Sequence, residues 1–296
     1  MALKQSLKTM VKKNPSSHAA LYLLRQRLSH PQDFSGYSEE SQRFLNEIQK
    51  NGFMVIPNFV DKEFCEKCIC DIDLMMKEHK EFVQKYSDLR VFGAEYLSEN
   101  IKKFAEDKFL KKLTNYYNTI ESDNGFTLAN KIEYSESSSK LGSGGGWHRD
   151  SVNRQFKAIL YLNDVTEENG AYQIIKNSHK MLPMLDDIRI GKIGFEKTRF
   201  LDKQINKIIA KDPSRLKTIT GKAGTLIVKD CSAIHRGSPL KSGIRYALTN
   251  YYFYISQIND KLVNHFAPLV SPDKVLAKVK ANYPYNLHYK QMPSSK

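Results

Sequence analysis

Apolar positions change their period part-way along the chain. Before Gly125 they fall mostly at helical spacing: residues 17–28 and 39–49 carry Ala, Leu, Ile and Phe three and four apart, punctuated by Pro15, Pro31 and Gly36. The run Gly52-Phe-Met-Val-Ile-Pro57 predicts a short strand. Asp61 then opens a helix expected to reach about Tyr86, with Cys65, Ile69, Ile72 and Met76 as its buried stripe, and helical pattern resumes over residues 98–117. After Gly125 the texture becomes β-branched and aromatic. Strands are expected at residues 126–134, 156–162, 171–175, 225–228 and 246–255, separated by turn residues such as Asn169-Gly170, Gly221, Gly224 and Gly237. That rhythm predicts a barrel or two-sheet sandwich. Residues 184–213 interrupt it as a lysine-rich, partly helical insert. The whole of 1–296 reads as one domain, with a helical N-terminal extension over 1–50 and a weakly periodic tail over 256–296.

Composition narrows the class. The chain of 296 residues is 41% hydrophobic, as expected of a globular protein with a sizeable core. No apolar window approaches a membrane span, and the lysine-dotted start lacks the apolar stretch of a secretory signal. Four cysteines, three of them at 65, 68 and 70, do not make a disulfide framework. They lie in a helical pattern as small apolar residues, because a structural zinc site needs four ligands. A reducing, cytoplasmic setting follows as the default. The net charge of +14 bears on partners: nucleic acid, an anionic membrane surface and an anionic small molecule are all compatible, as is a merely solvated lysine surface.

Candidate chemistry lies in two segments. In Gly146-Trp-His-Arg-Asp150, His148 and Asp150 stand two apart, so on extended backbone they point the same way and can share an ion. The second segment holds His235, after the strand 225–228, and Arg245 ten residues further on. Two histidines and one carboxylate on one face of an ion leave three positions open, which is the facial triad of non-haem iron(II) oxygenases. An arginine nearby offers a rigid fork for the far carboxylate of a 2-oxo acid. Alternation puts Arg245, Ala247, Thr249 and Tyr251 on one face, Asn130, Ile132 and Tyr134 on another strand's face, and Lys157, Ile159, Tyr161 and Asn163 on a third. Tyr134 and Tyr161 are the tyrosines expected to offer a hydroxyl to the cosubstrate. His179 is expected to close a turn, and the glycines of 142–146 to form a flexible loop.

These segments, with Asn169-Gly-Ala-Tyr-Gln-Ile-Ile-Lys-Asn-Ser-His-Lys180 and Gly52-Phe-Met-Val-Ile-Pro-Asn-Phe59, resemble the phytanoyl-CoA dioxygenase family in order from about residue 50 to 255. The resemblance implies a mainly β fold with flanking helices: a double-stranded β-helix (jelly-roll, cupin-like) core behind a helical N-terminal half. It implies that His148, Asp150 and His235 hold Fe(II), that Arg245 binds 2-oxoglutarate, and that O2 is the other cosubstrate. Hydroxylation of an unactivated C–H is then expected, with release of succinate and CO2. Related aliphatic halogenases lack the carboxylate that Asp150 supplies. The chain departs from the family at Asn177, where a glycine is usual, and at Arg236, which separates His235 from the small polar residues; this leaves Ser238 as a candidate cosubstrate contact. Lys203, Lys207 and Lys211, at i, i+4 and i+8, would form a basic helix face beside the mouth and draw in an anionic substrate, small or lipid-linked; in the lipid-linked case the basic start, Lys4, Lys8, Lys12 and Lys13, would serve as a weak surface anchor for peripheral membrane contact. Open alternatives are a non-catalytic metal-binding sensor or scaffold, a different metal enzyme on a cupin-like barrel, and an oxygenase acting on nucleic acid, for which no motif is seen.

Overall fold

The computed structural model describes residues 21–24, 31–135, 141–195 and 197–258. Most of the first expected helix, the lysines at positions 4, 8, 12 and 13, and nearly all of the C-terminal tail lie outside them.

Helix α1 (Glu39–Asn51) is capped at its start by the Ser38 side chain, which accepts from Ser41 N. It ends on Gly52 in the left-handed conformation, φ 89°. Gly52 therefore closes a helix, and strand β1 (Phe53–Ile56) begins one residue later than the apolar run suggests. Leu45 and Ile48 of α1 are fully buried, so this end of the expected extension is core. Helix α2 (Lys62–Glu78) starts on an Asp61 cap and buries Cys65, Cys68, Ile72 and Met75. The stripe turns slightly from the expected one, leaving Ile69 and Met76 half-buried. The helix stops short of Tyr86, and two short strands follow, β2 (Gln84–Lys85) and β3 (Leu89–Phe92). The helical pattern over 98–117 divides into α3 (Glu99–Ala105) and α4 (Lys108–Asn118), because Asp107 caps a new helix through Leu110 N.

Strand β4 (Ser122–Glu133) leads into β5 (Phe156–Tyr161) and β6 (Tyr172–Ile175); helices α5 (Met181–Gly191) and α6 (Asp202–Lys211) precede β7 (Leu216–Ile219), β8 (Leu226–Asp230), β9 (His235–Gly237) and β10 (Ile244–Tyr254). The strands form a seven-stranded sheet in the order β1-β8-β5-β10-β4-β3-β2 and a three-stranded sheet β7-β6-β9. Every pairing is antiparallel.

Alternation assigns the faces of the large sheet. Ala158, Leu160, Leu226, Val228 and Leu248 pack against α1 to α4 in the main core. The opposite parity, with Phe53, Val55, Ile159, Tyr161 and Ile227, packs against Tyr172, Ile174 and Ile219 of the small sheet. Over the small sheet lies the insert, where Ile193, Phe200, Ile205 and Ile208 pack with Trp147 and Ile234. The order helices, large sheet, small sheet, insert is a double-stranded β-helix with helices flanking it. No described helix is long and apolar enough to cross a membrane.

Candidate metal centre

The metal-motif segment is pinned from both sides. His148 pairs with His235 by two backbone hydrogen bonds, 2.9 and 2.8 Å, and bridges to Arg199 on its other side. Arg149 N donates to Thr198 O, and Phe200 N donates to Trp147 O. The expected insert thus holds the motif in place.

His148, Asp150 and His235 converge: one ligand atom from each lies within 4.8 Å of the others. His148 Nε2 is 4.0 Å from Asp150 Oδ1, and His235 Nε2 is 3.7 Å from Asp150 Oδ2. Each imidazole Nδ1 lies 2.8 Å from the carbonyl two residues back, Gly146 O or Ala233 O. A proton on Nδ1 satisfies that carbonyl and turns an unprotonated Nε2 toward the shared centre. Burial favours the neutral rings. It pushes His148 down to about 4 against the pull of Asp150, and with Lys229 close by it holds His235 well below its ordinary value. Burial alone would raise the Asp150 carboxyl, but the ammonium groups of Lys157 and Lys229 hold it well below the usual range. Two neutral nitrogens and one carboxylate are a donor set suited to iron(II).

The depressed histidines should make the metal-free protein acid-sensitive. As pH falls below about 6.5, the unfolded chain takes up protons that folded His148 and His235 refuse. Stability then drops by about 1.4 kcal/mol per pH unit for each histidine until its folded pKa is reached. Thermal melts of chelator-treated protein between pH 7 and 5 should show this fall, and His148→Gln should make it shallower. Equal slopes in the two proteins would mean that His148 is protonated in the fold.

The three residues open onto a cavity of about 400 Å³ between the sheets. Arg245 lies in its wall, 5% exposed. Its guanidinium donates to Gly170 O and, at 3.4 Å, to Asn130 Oδ1. Its Nε has no partner among the described residues, and no carboxylate pairs with it there. A buried guanidinium without an anion could take up a carboxylate.

Other expected contacts lie elsewhere. Tyr134 follows the end of β4, is 43% exposed, and is outside the cavity wall; the register puts Asn130 there and Ile132 beside Arg245. Tyr161 does line the cavity, but its hydroxyl donates to Ile219 O and accepts from Tyr172 N. Its one proton is spent on the backbone, so it has none for a carboxylate. Ser238 lies beyond the wall, its Oγ buried and unpartnered among the described residues. Lys203, Lys207 and Lys211 are exposed on α6 above buried Ile205 and Ile208, as the spacing predicts. None of the three lines the cavity, and Lys211 pairs with Asp186 at 2.8 Å. His179 bonds Gln49 O, away from the centre.

The structure adds cavity residues that the sequence did not single out: Arg90 and Phe92 on the overlooked strand β3, Arg199 from the insert, and Lys229 on β8. Lys229 had a signal, being a charged residue on the same strand face as Ile227.

The sequence profile of the family "Phytanoyl-CoA dioxygenase (PhyH)" matches residues 48–246, two-thirds of the chain. No curated protein matches. Among solved structures, EctD from S. alaskensis with bound Fe is 15% identical, TM-score 0.57, covering 76% of this chain and 82% of that one. The epimerase SnoN from nogalamycin biosynthesis, in complex with Fe3+, alpha ketoglutarate and nogalamycin RO, is 13% identical, TM-score 0.56, covering 72% and 83%. HygX from Streptomyces hygroscopicus with nickel and 2-oxoglutarate is 16% identical, TM-score 0.52, covering 73% and 86%. These likenesses establish the fold. With the profile match over most of the chain, they lead to one assignment: the chain belongs to the phytanoyl-CoA dioxygenase family of iron- and 2-oxoglutarate-dependent oxygenases.

Proposed function

We propose that the protein hydroxylates an unactivated C–H of a small, anionic organic molecule, free or carried on a larger group, with conversion of 2-oxoglutarate to succinate and CO2. The observation that carries this reading is the pairing, across one cavity, of the His148–Asp150–His235 set with an Arg245 guanidinium that has no carboxylate partner among the described residues. His148, Asp150 and His235 would hold iron(II), which when bound supplies the activation of dioxygen. Arg245 would fix the far end of 2-oxoglutarate. The apolar walls Phe92, Leu128, Ile159 and Phe253 would exclude water and hold the substrate carbon near the centre.

Anionic character is supported by the cavity wall. It carries five cationic side chains, Arg90, Lys157, Arg199, Lys229 and Arg245, and one carboxylate, Asp150. Arg90 is balanced by Asp88 at 2.7 Å outside that wall. The excess attracts anions. The volume suits a small ligand or the reacting end of a larger one, since such cavities run from roughly 300 to 1,000 Å³. The lysines of α6 are left with long-range steering.

The test is binding of 2-oxoglutarate to the iron-loaded protein, followed by succinate formation across a panel of small carboxylates and phosphate esters. Tight 2-oxoglutarate binding and a rate that rises with one class of anion are expected. Failure of 2-oxoglutarate to bind would sink the reading.

A further inference from the structure

The cavity face of the large sheet carries two lysines directly opposite each other: Lys157 on β5 pairs in register with Lys229 on β8. They are 5% and 3% exposed, and both line the cavity. Like charges opposed across a sheet are destabilising, and burial adds to the cost. Such a pair calls for an anion. Lys157 has one in Asp150, 3.0 Å from its Nζ. Lys229 has none. Among the described residues its Nζ enters no hydrogen bond or ion pair, and it lies 5.0 Å from the centre of the Tyr172 ring.

Formal charge points the same way. Iron(II) with Asp150, the two carboxylates of 2-oxoglutarate and the Arg245 guanidinium cancel one another. Lys157, Lys229 and the exposed Arg199 are left over, and the two lysines are buried and face the same space. Position adds to this. The Tyr172 ring that meets Lys229 also lies 5.6 Å from the His235 ring, so Lys229 stands one ring's span from a metal ligand. Next to the lysines the wall is aromatic: Tyr251 is in register with Lys157, and Phe253 and Phe92 also line the cavity.

Resting on the reading that Arg245 seats 2-oxoglutarate, we propose that Lys229, seconded by Lys157, is the oxyanion seat for the substrate itself. The substrate class is an organic acid. Its carboxylate docks on the paired ammonium groups, and its carbon skeleton lies along the Tyr251–Phe253–Phe92 wall beside the metal ligands. An ammonium group has three donors, so Lys157 can hold Asp150 and still face the ligand. The two anions of the reaction then have separate seats, a fork at Arg245 and a point-charge pair at Lys229, and neither ligand is suited to the other's place.

The test uses the full-length protein loaded with zinc, which does not turn over, and saturated with 2-oxoglutarate. Ligand-observed NMR measures binding of phenylacetate and of its neutral twin, phenylacetamide. The acid should bind about tenfold or more tighter than the amide, the worth of one charge-assisted contact. Lys229→Met should erase the preference, and Lys229→Arg should restore most of it. Lys229→Met removes one of two opposed charges and should melt no lower than the parent, so misfolding would not mimic the result. The proposal is overturned by equal binding of acid and amide in the parent, including no measurable binding of either. It is also overturned by a preference that survives Lys229→Met, or by an acid that displaces 2-oxoglutarate. Titration of 2-oxoglutarate alone reads the functional assignment separately: if it does not bind, that assignment fails while the acid-over-amide comparison still stands.

Discussion

Replacing His235 by alanine is expected to abolish iron-dependent turnover while the fold survives. Three side chains are the whole donor set among the described residues, and loss of a residue that merely supports a metal ligand already costs about 10–100-fold. Loss of a ligand should exceed that in both iron affinity and rate. The fold should tolerate the change, because the bonds joining β9 to the metal motif use His235 N and O and not its ring. What is lost is the bond to Ala233 O and the ring's packing against His148 and Tyr172. That amounts to a few kcal/mol at most, against a total stability of roughly 5–15 kcal/mol. Iron content, succinate formation and circular dichroism would be measured on the same preparation. Full turnover in the variant would refute the metal assignment.

Arg245→Lys should raise the apparent KM for 2-oxoglutarate by about tenfold or more, with kcat less affected at saturation. The charge remains but the fork does not, and a charge-assisted hydrogen bond is worth roughly 1.5–3 kcal/mol. In this chain the fork does two jobs. It grips Gly170 O and Asn130 on one side, and Nε has no protein partner among the described residues. Lysine would lose the anchoring to Gly170 and Asn130 together with the second parallel donor. An unchanged KM would mean that the carboxylate sits elsewhere.

Much of this was legible in the sequence because it rests on alternation. The inward parity of Lys157, Ile159 and Tyr161, and of Arg245 to Tyr251, follows from a period of two and holds along the whole of β5 and β10. What escaped was structure made by side-chain bonding. Ser122–Asn124 are polar and do not read as a strand. They are buried at the start of β4 because Asn124 bonds Thr127 and the backbone of Tyr251, and Thr127 bonds Asn250. Strand β3 was hidden for a similar reason: Asp88 ties Arg90 and Asn130 together, and a charged pair looks like loop. Tyr161 was placed on the correct face, but no periodicity reports that its hydroxyl is already engaged by Ile219 and Tyr172.

The two backbone hydrogen bonds between His148 and His235 have a consequence for the order of events in the cell. Both rings are also oriented by the chain's own carbonyls, so the spacing of the metal ligands is set by bonds that form during folding. In proteins whose ligands are gathered by the ion, binding and folding are one transition, and a chelator denatures them. Here folding and metallation are expected to be separable, so chelator-treated protein should keep its fold. Newly made chains can reach their final shape in iron-poor conditions and wait, and a molecule stripped by a competing chelator is an intact recipient for the next ion.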